Sequence, residues 1–456
     1  MKSILKFGLV LVLSQLVAVR AAVTVTKIAA GNFHSLFLKS DGSLWATGGN
    51  FSGQLGDGQF VCTNRAEQIV SNGVMAIAGG GGHTLFLKND GSLWSMGGND
   101  SGALGDGTYT ATNQPEQIVS SNVTAIACGR SHSLFLKSDG GLWAMGQNSY
   151  GQLGDGTFNN TNRPEQIVAN GVAAIAAGDF HSLFIKSDGS LWGMGYNSQG
   201  QLGDGTFNNS NLPKKIATNG VMAISCGDYH SIFIKTNGSL WGMGWNNYGQ
   251  IGDGIVNGAY ESKTNRPGQI VSNNVVAVDG GSDFTVFLKF DGSLWGMGWN
   301  YDGELGDGTF GTTNRPEQTV ASGVNAIACG RDHTLFLKTD GSVWGMGANF
   351  YFGNFGILGD GFSDQLCLFP EQVFPSPQPV LTNRVLSATN FQFTAACQFG
   401  GNFQLLASTN LSQPLSQWTS VATNIISYRN TNLFKATLTN AVNAGVGQNF
   451  YILQSQ

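Results

Sequence analysis

Charge is scarce in this chain. Asp, Glu, Lys and Arg make up 11% of its 456 residues, against roughly a quarter in an average soluble domain. Its surface therefore rests on turn chemistry rather than on ion pairs. No cluster of Lys and Arg occurs, and the net charge is −5. The basic footprint that phosphate-backbone binding requires is missing, so no nucleic-acid partner is expected. Cys-x-x-Cys, P-loop, His-Glu-x-x-His and Gly-x-Ser-x-Gly patterns are all absent, which leaves the corresponding redox, nucleotide, metalloprotease and hydrolase chemistries without a motif. No window carries a helical period of convincing length. Beyond the N-terminus no run reaches the length of a membrane-spanning helix, so no span is expected in the mature chain.

What the chain has in abundance is glycine, 66 residues, and repetition. Trp stands at 45, 94, 143, 192, 241, 295 and 344, at steps of 49 residues with one step of 54. Fixed spacing of this kind marks a repeat architecture. In the third copy, Val123 to Gly129 and His132 to Lys137 are short apolar runs. Asp139-Gly140 breaks them, and Leu142 to Gly146 forms a third. Asp-Gly between such runs predicts a hairpin with a type I′ turn, where both residues take positive φ. Pro164 to Val168 reads as a fourth strand, with Pro at its start where no ladder N–H is needed. Four short antiparallel strands per copy make a small sheet that cannot bury both faces alone. Stacking the copies around an axis solves this. The expectation is an all-β, seven-bladed β-propeller with the repeated Trp packed between blades, plus a small C-terminal all-β module.

Taken in order, residues 1–21 read as a signal peptide. Lys2 and Lys6 precede the apolar run Phe7 to Val19, and Val19-Arg20-Ala21 offers a cleavage site. Residues 22–374 hold the seven copies, with an insertion around Ile255 to Lys263 and a longer loop at Asn349 to Leu358. Pro375 to Pro379 is a stiff linker. Residues 380–456 shift to Asn, Thr, Ser and Gln, with strands expected at Phe403–Leu411, Trp418–Val421, Leu433–Leu438 and Phe450–Leu453. The chain is expected to be secreted, periplasmic or on a cell surface.

The unit Gly178, His181, Asp188-Gly189, Trp192, Gly195, Asn197, Gly200-Gln201-Leu202-Gly203-Asp204-Gly205 resembles the regulator of chromosome condensation repeat, and the likeness covers about three quarters of the chain. The resemblance implies a seven-bladed propeller. The family's nuclear founder is an exchange factor for a small GTPase that also binds chromatin. Secreted bacterial relatives include a β-lactamase inhibitor that binds through one propeller face. The C-terminal segment, Ala407 to Leu411 followed by Trp418 and Phe450-Tyr451, is similar to a short module that closes many secreted proteins of environmental bacteria.

The titratable residues repeat, which argues against catalysis. His34, His83, His132, His181, His230 and His333 share one repeat position, and Phe284 takes it in the sixth copy. A catalytic His should be singular, so these are read as structural. The repeated Leu-Gly-Asp-Gly carboxylates, Asp57 to Asp360, are read as turn-stabilising, because each loop offers one Asp where calcium wants several. No metal, no cofactor and no enzyme activity are expected. Cys128, Cys226 and Cys329 are read as buried free thiols. Cys62 and Cys367 lie before the fourth strand of copies one and seven, neighbours in a closed ring, and are expected as a disulfide closing it.

Strand parity puts the first-to-second and third-to-fourth connections on one face of the ring. There the copies differ. Arg130, Tyr196, Tyr229, Trp245, Tyr248, Trp299, Tyr301, Arg331, Phe350 and Tyr351 are the candidate binding residues, an aromatic arc on copies four to seven. Tyr, Trp and Arg are common interface anchors. The expected function is binding of a protein partner through this face. A carbohydrate-binding propeller and a guanine-nucleotide exchange activity are the alternatives.

Overall fold

A computed structural model describes residues 23–373, apart from 256–261, 351–355 and 364–365, together with six strands between 380 and 455. The first copy folds as β1 (Val25–Ala30), β2 (His34–Lys39), β3 (Leu44–Gly48) and β4 (Thr63–Val70). They form one antiparallel sheet in sequence order, and each of the other six copies builds the same sheet. The described residues hold no helix. The chain is an all-β, seven-bladed propeller.

Burial grades across each blade. Five of the six residues of β2, His-Ser-Leu-Phe-Leu-Lys, are buried. A strand covered on both faces reads as a continuous apolar run rather than an alternation. The outer strand β4 has no fully buried residue and mixes half-buried with exposed ones, as an edge with one solvated face should. The core lies between blades. Leu36, Leu38, Leu44 and Leu55 of blade one pack on Val74, Phe86 and Met96 of blade two. Trp94 is half-buried against the same cluster, which places the repeated Trp at the blade interface as expected. Phe–Trp pairs such as Phe86–Trp94 stack with centroids 6.0–6.4 Å apart. A Lys Nζ lies 3.6–4.6 Å over each indole, where its charge meets the ring quadrupole. In six blades the indole N–H donates to a Ser hydroxyl two residues upstream, as Trp94 does to Ser92 at 2.9 Å; in blade three Gly141 stands there and Trp143 Nε1 has no partner.

The hairpin between β2 and β3 differs from the type I′ turn expected. Lys39 N–H donates to Ser43 O at 3.0 Å, and Gly42 N–H to Lys39 O at 2.9 Å. Gly42 has φ 77°, while Asp41 is not in the left-handed region. This is a three-residue loop, a type I turn followed by a left-handed glycine. Asp41 stays in the ordinary region because its carboxylate accepts from Ser43 N–H at 3.0 Å and Ser43 Oγ at 2.6 Å.

The ring closes without exchanging strands. In each blade the last glycine of Leu-Gly-Asp-Gly donates its N–H to a backbone carbonyl in the next blade's fourth strand: Gly58 to Asn113, Gly107 to Asn162 and so on, at 2.8–2.9 Å. The seventh of these bonds, Gly361 N to Asn64 O at 2.9 Å, returns to blade one. Asn64 Nδ2 donates to Gly361 O at 2.8 Å, and Val25 and Phe37 pack on Leu335, Leu337 and Val343.

The C-terminal segment forms two three-stranded sheets. One contains Val380–Leu386, Asn390–Ala396 and Leu433–Thr439; the other contains Thr419–Ile426, Gly401–Ser408 and Phe450–Ser455. The sequence pattern picked out four of these strands and missed the first two. Contacts gather residues 24–375 into one compact unit and 376–456 into another. The expected signal segment and the linker Pro375–Pro379 lie outside the described residues.

Candidate functional site

The repeated polar residues build the scaffold that holds the loops. His34 Nε2 lies 2.9 Å from Thr84 Oγ1 of the next blade, and that hydroxyl donates to Gln54 O at 2.7 Å. The hydroxyl spends its proton on the carbonyl, so the imidazole must supply the other; the bonding pattern assigns the neutral Nε2–H tautomer. The bond recurs from His83 to Ser133, His132 to Ser182, His181 to Ser231, His230 to Thr285 and His333 to Ser35. Burial pushes His132 down to about 3. Each repeated Asn holds its loop in the same way. Asn148 Nδ2 donates to Asp155 Oδ1 at 3.0 Å, and its Oδ1 accepts from Leu153 N–H at 3.0 Å. Asp155 also accepts from Thr157 N–H at 2.8 Å. The repeated His and Asp therefore carry structural bonds, the reading made from their repetition.

On the face bearing these loops the aromatic side chains meet in one continuous file. It runs from Tyr150 through Phe180, Tyr196, Tyr229, Trp245, Tyr248 and Trp299 to Tyr301. Neighbouring centroids in this file are 4.4–6.4 Å apart. Trp245 and Trp299 are half-buried, and Tyr301 is 57% exposed. Six of the predicted aromatics are thus brought together. Phe350 is also exposed, and Tyr351 lies outside the described residues. Tyr150 of blade three and Phe180 of blade four extend the file and were not singled out. A signal for Tyr150 existed, since it stands two residues after the repeated Asn, as Tyr248 does.

Beside the file lies a charged patch. Arg130 Nη1 pairs with Asp179 at 3.3 Å, and its guanidinium sits 5.7 Å from the Phe180 centroid. Arg331 Nε lies 3.6 Å from Asp332 Oδ2 and its guanidinium 5.9 Å from the Phe33 centroid. The two predicted arginines are therefore held against aromatic rings and carboxylates. Burial raises both Asp179 and Asp228, and the Asp179 charge raises Asp228 further. Burial, then the Asp332 charge, lifts Asp283 to about 7. Burial lifts Glu304 to about 8. Below this patch the seven innermost strands enclose an axial cavity of about 300 Å³, lined by Ile28, Ile77, Cys128, Cys226, Asp279 and Cys329 among others.

The expected disulfide is not formed: Cys62 and Cys367 are both free thiols. Cys62 Sγ accepts from Asn50 N–H at 3.2 Å. Asn160 and Asn209 do the same for Asn148 and Asn197, with carbonyl oxygens at 2.8 Å. Cys62 is thus a loop acceptor in its own blade. Cys367 lies inside the fourth strand of blade seven, paired with Gly347, and not in the loop before it. The two occupy different repeat positions and serve different blades. Cys128, Cys226 and Cys329 are free as expected, but only Cys226 is buried, and Cys128 and Cys329 are half-buried.

A closed ring of seven sheets of one topology, with repeated structural His and Asp and one face of variable loops, defines a repeat-built β-propeller scaffold. Comparison with known families agrees with that class. The RCC1-like domain matches residues 59–396, and the regulator of chromosome condensation (RCC1) repeat matches residues 25–54. The chain belongs to the RCC1-like domain family. No curated protein matches it in sequence. Its fold is similar to that of human WBSCR16, at 24% identity and TM-score 0.61, over 69% of this chain and 87% of that one. It is also similar to Prp20p of Saccharomyces cerevisiae, whose structure was described with its binding to Gsp1p and histones. That likeness has 19% identity and TM-score 0.64, over 79% of this chain and 90% of that one. A second structure of the yeast protein, bound to Kap60, matches at 20% identity and TM-score 0.64, over 79% and 87% of the two chains.

Proposed function

We propose that the protein is a secreted, non-enzymatic propeller that docks a protein partner on its variable-loop face. The observation that carries this reading is the file of eight rings from Tyr150 to Tyr301, half-exposed and flanked by Arg130 and Arg331. Large rings already held by their neighbours lose little freedom on binding, and arginines stacked on rings are pre-positioned. The non-enzymatic part rests on the repetition of the His and Asp residues in structural bonds. Secretion rests on Lys2, Lys6 and the run Phe7 to Val19.

Neighbouring rings in the file cross mostly at 59–75°. A saccharide platform wants ring faces that lie open side by side, so this packing favours a protein over a carbohydrate. The test is capture from the native secretome with the wild-type chain and with Trp245→Ala/Trp299→Ala. The specific partner is expected to be lost from the double variant, with an affinity drop of about 100-fold or more. Equal capture by both chains would remove the face from the reading. Strong, selective retention on a glycan array would replace the protein partner by a carbohydrate, and stimulated nucleotide release from a small GTPase would replace it by exchange activity.

A further inference from the structure

One position behind the aromatic file breaks the pattern of its sister blades. In blades one, three, four and five a Gln stands there, and its Oε1 accepts the backbone N–H two residues upstream. The distances are 3.0–3.1 Å for Gln54, Gln152, Gln201 and Gln250. In blade five the other end of the amide is used as well, since Gln250 Nε2 donates to Asp283 Oδ1 of blade six at 3.2 Å. Blade six carries Glu304 instead. Its Oε2 accepts Asp302 N–H at 3.0 Å, the same pose. Its Oε1 is buried with no hydrogen-bond partner, and the whole side chain is 0% exposed.

The neighbour that corresponds to Asp283 one blade on is Asp332. A donor facing an acceptor in blades five and six has thus become an acceptor facing an acceptor in blades six and seven. Asp302 adds a third carboxylate, and one oxygen from each of Asp302, Glu304 and Asp332 lies within 4.8 Å of the others. Asp332 has donors of its own, but Glu304 Oε1 has none. Arg331 Nε is 3.6 Å from Asp332 Oδ2 and Ser282 Oγ is 3.4 Å from its Oδ1.

We propose that Asp302, Glu304 and Asp332 bind a hard divalent cation of the calcium class between blades six and seven. Two oxygens that both touch Ca²⁺ at about 2.3–2.6 Å stand at most about 5 Å apart, which the carboxylate spacing satisfies. Three carboxylates offer up to six oxygens, and waters complete the six to eight that the ion takes. The ion bridges the facing carboxylates where the Gln250 N–H donor bridges to Asp283 in blade five. Asp302 follows Tyr301, so the ion ties down the end of the aromatic file. The proposal rests on the carboxylates alone and stands whether or not a protein docks on the file.

The test uses the full chain, freed of metal by dialysis against EDTA and titrated with CaCl₂ by calorimetry at pH 7.5. One equivalent is expected to bind, with a rise in Tm. Terbium is expected to show luminescence on excitation of the neighbouring Tyr301 and Trp299. Glu304→Gln puts in the residue that four sister blades fold with, so this variant should remain folded. It is expected to weaken calcium uptake at least ten-fold and to abolish the Tm rise, and Asp302→Asn should weaken uptake as well. No calcium or terbium uptake by the wild type would overturn the site and leave a proton shared between Glu304 and Asp332. Uptake and Tm shift unchanged in Glu304→Gln would also overturn it, placing the ion elsewhere.

Discussion

His132 shows what one residue contributes to the ring. Its Nε2 proton goes to Ser182 of the next blade at 2.9 Å, and Ser182 passes its own to Gln152 O at 2.8 Å. Burial holds the imidazole neutral, with its pKa pushed down to about 3 from about 6.5 in the unfolded chain. Between those values the unfolded state binds the extra proton. Stability is therefore full above about pH 6.5 and falls as the pH drops toward 3. Each such His adds about 1.4 kcal/mol per pH unit to the slope in that window. Phe284 shows that a phenyl ring fits this position. His132→Phe should therefore fold and should lower the slope of unfolding free energy between pH 4 and 6 by about 1.4 kcal/mol per unit. Urea unfolding across that range measures it, and an unchanged slope would mean that His132 is not buried neutral. The buried carboxyl groups act in the opposite direction, but they are common to both chains and cancel. The repetition of the His was legible in sequence, and so was its structural role. Its partner was not, because the accepting hydroxyl belongs to the next copy and every copy offers the same Ser or Thr.

The hairpin and the return turn make the same point for elements. The sequence pattern located the hairpin of the third copy but assigned it the wrong turn. Asp-Gly fits type I′ and a type I turn with a left-handed glycine equally well, and the strand register chooses between them. The two glycines are not equivalent. Gly140 and Gly171 both have φ 77°. A Cβ on Gly140 would meet Gly171 N at 2.8 Å, whereas one on Gly171 would meet nothing within 4 Å. At the return turn an Asn already takes the left-handed region in two copies, as Asn122 and Asn274. Gly171→Asn should therefore cost about 1 kcal/mol or less. Gly140→Asn combines left-handed strain with a clash on rigid backbone and should cost about 2 kcal/mol or more. Urea midpoints at unchanged m-value separate the two; equal losses would show that the close approach of the two turns plays no part in stability.

At the scale of the whole molecule, what sequence could show was the ring and its variable face. Strand parity fixes which connections share a side, so the aromatic file was legible as a set of positions. The Glu304–Asp332 gap was not: the repeats show Glu304 where four copies carry Gln, but the carboxylate it faces lies across the seam between two blades. The manner of closure was hidden for the same reason. In the structure every blade is four consecutive strands, and Thr24 stands where Gly73, Gly171 and Gly220 stand in other copies. Its carbonyl accepts Ser40 N–H at 2.8 Å, as Gly73 O accepts Asn89 N–H at 2.8 Å. A Cβ on Gly341 would meet Thr24 at 3.6 Å, as one on Gly42 would meet Gly73 at 2.7 Å. Val373 at the other end donates to Val343 O at 3.2 Å, completing the last sheet. Residues 373 and 24 are thus placed like consecutive parts of one return turn, in the way Ile69 leads to Gly73. Joining them with Val-Ser-Asn, the residues at 70–72, and opening the chain between Asn219 and Gly220 should give a folded circular permutant. Its stability should lie within about 2 kcal/mol of the linear 24–373 segment, since a short loop replaces a short loop. A propeller held shut by a strand borrowed across its ends would be cut apart by this rearrangement. Loss of cooperative unfolding in the permutant, measured by far-ultraviolet circular dichroism in urea, would show that closure depends on chain order and not on the contacts from Gly361 to Asn64 and from His333 to Ser35.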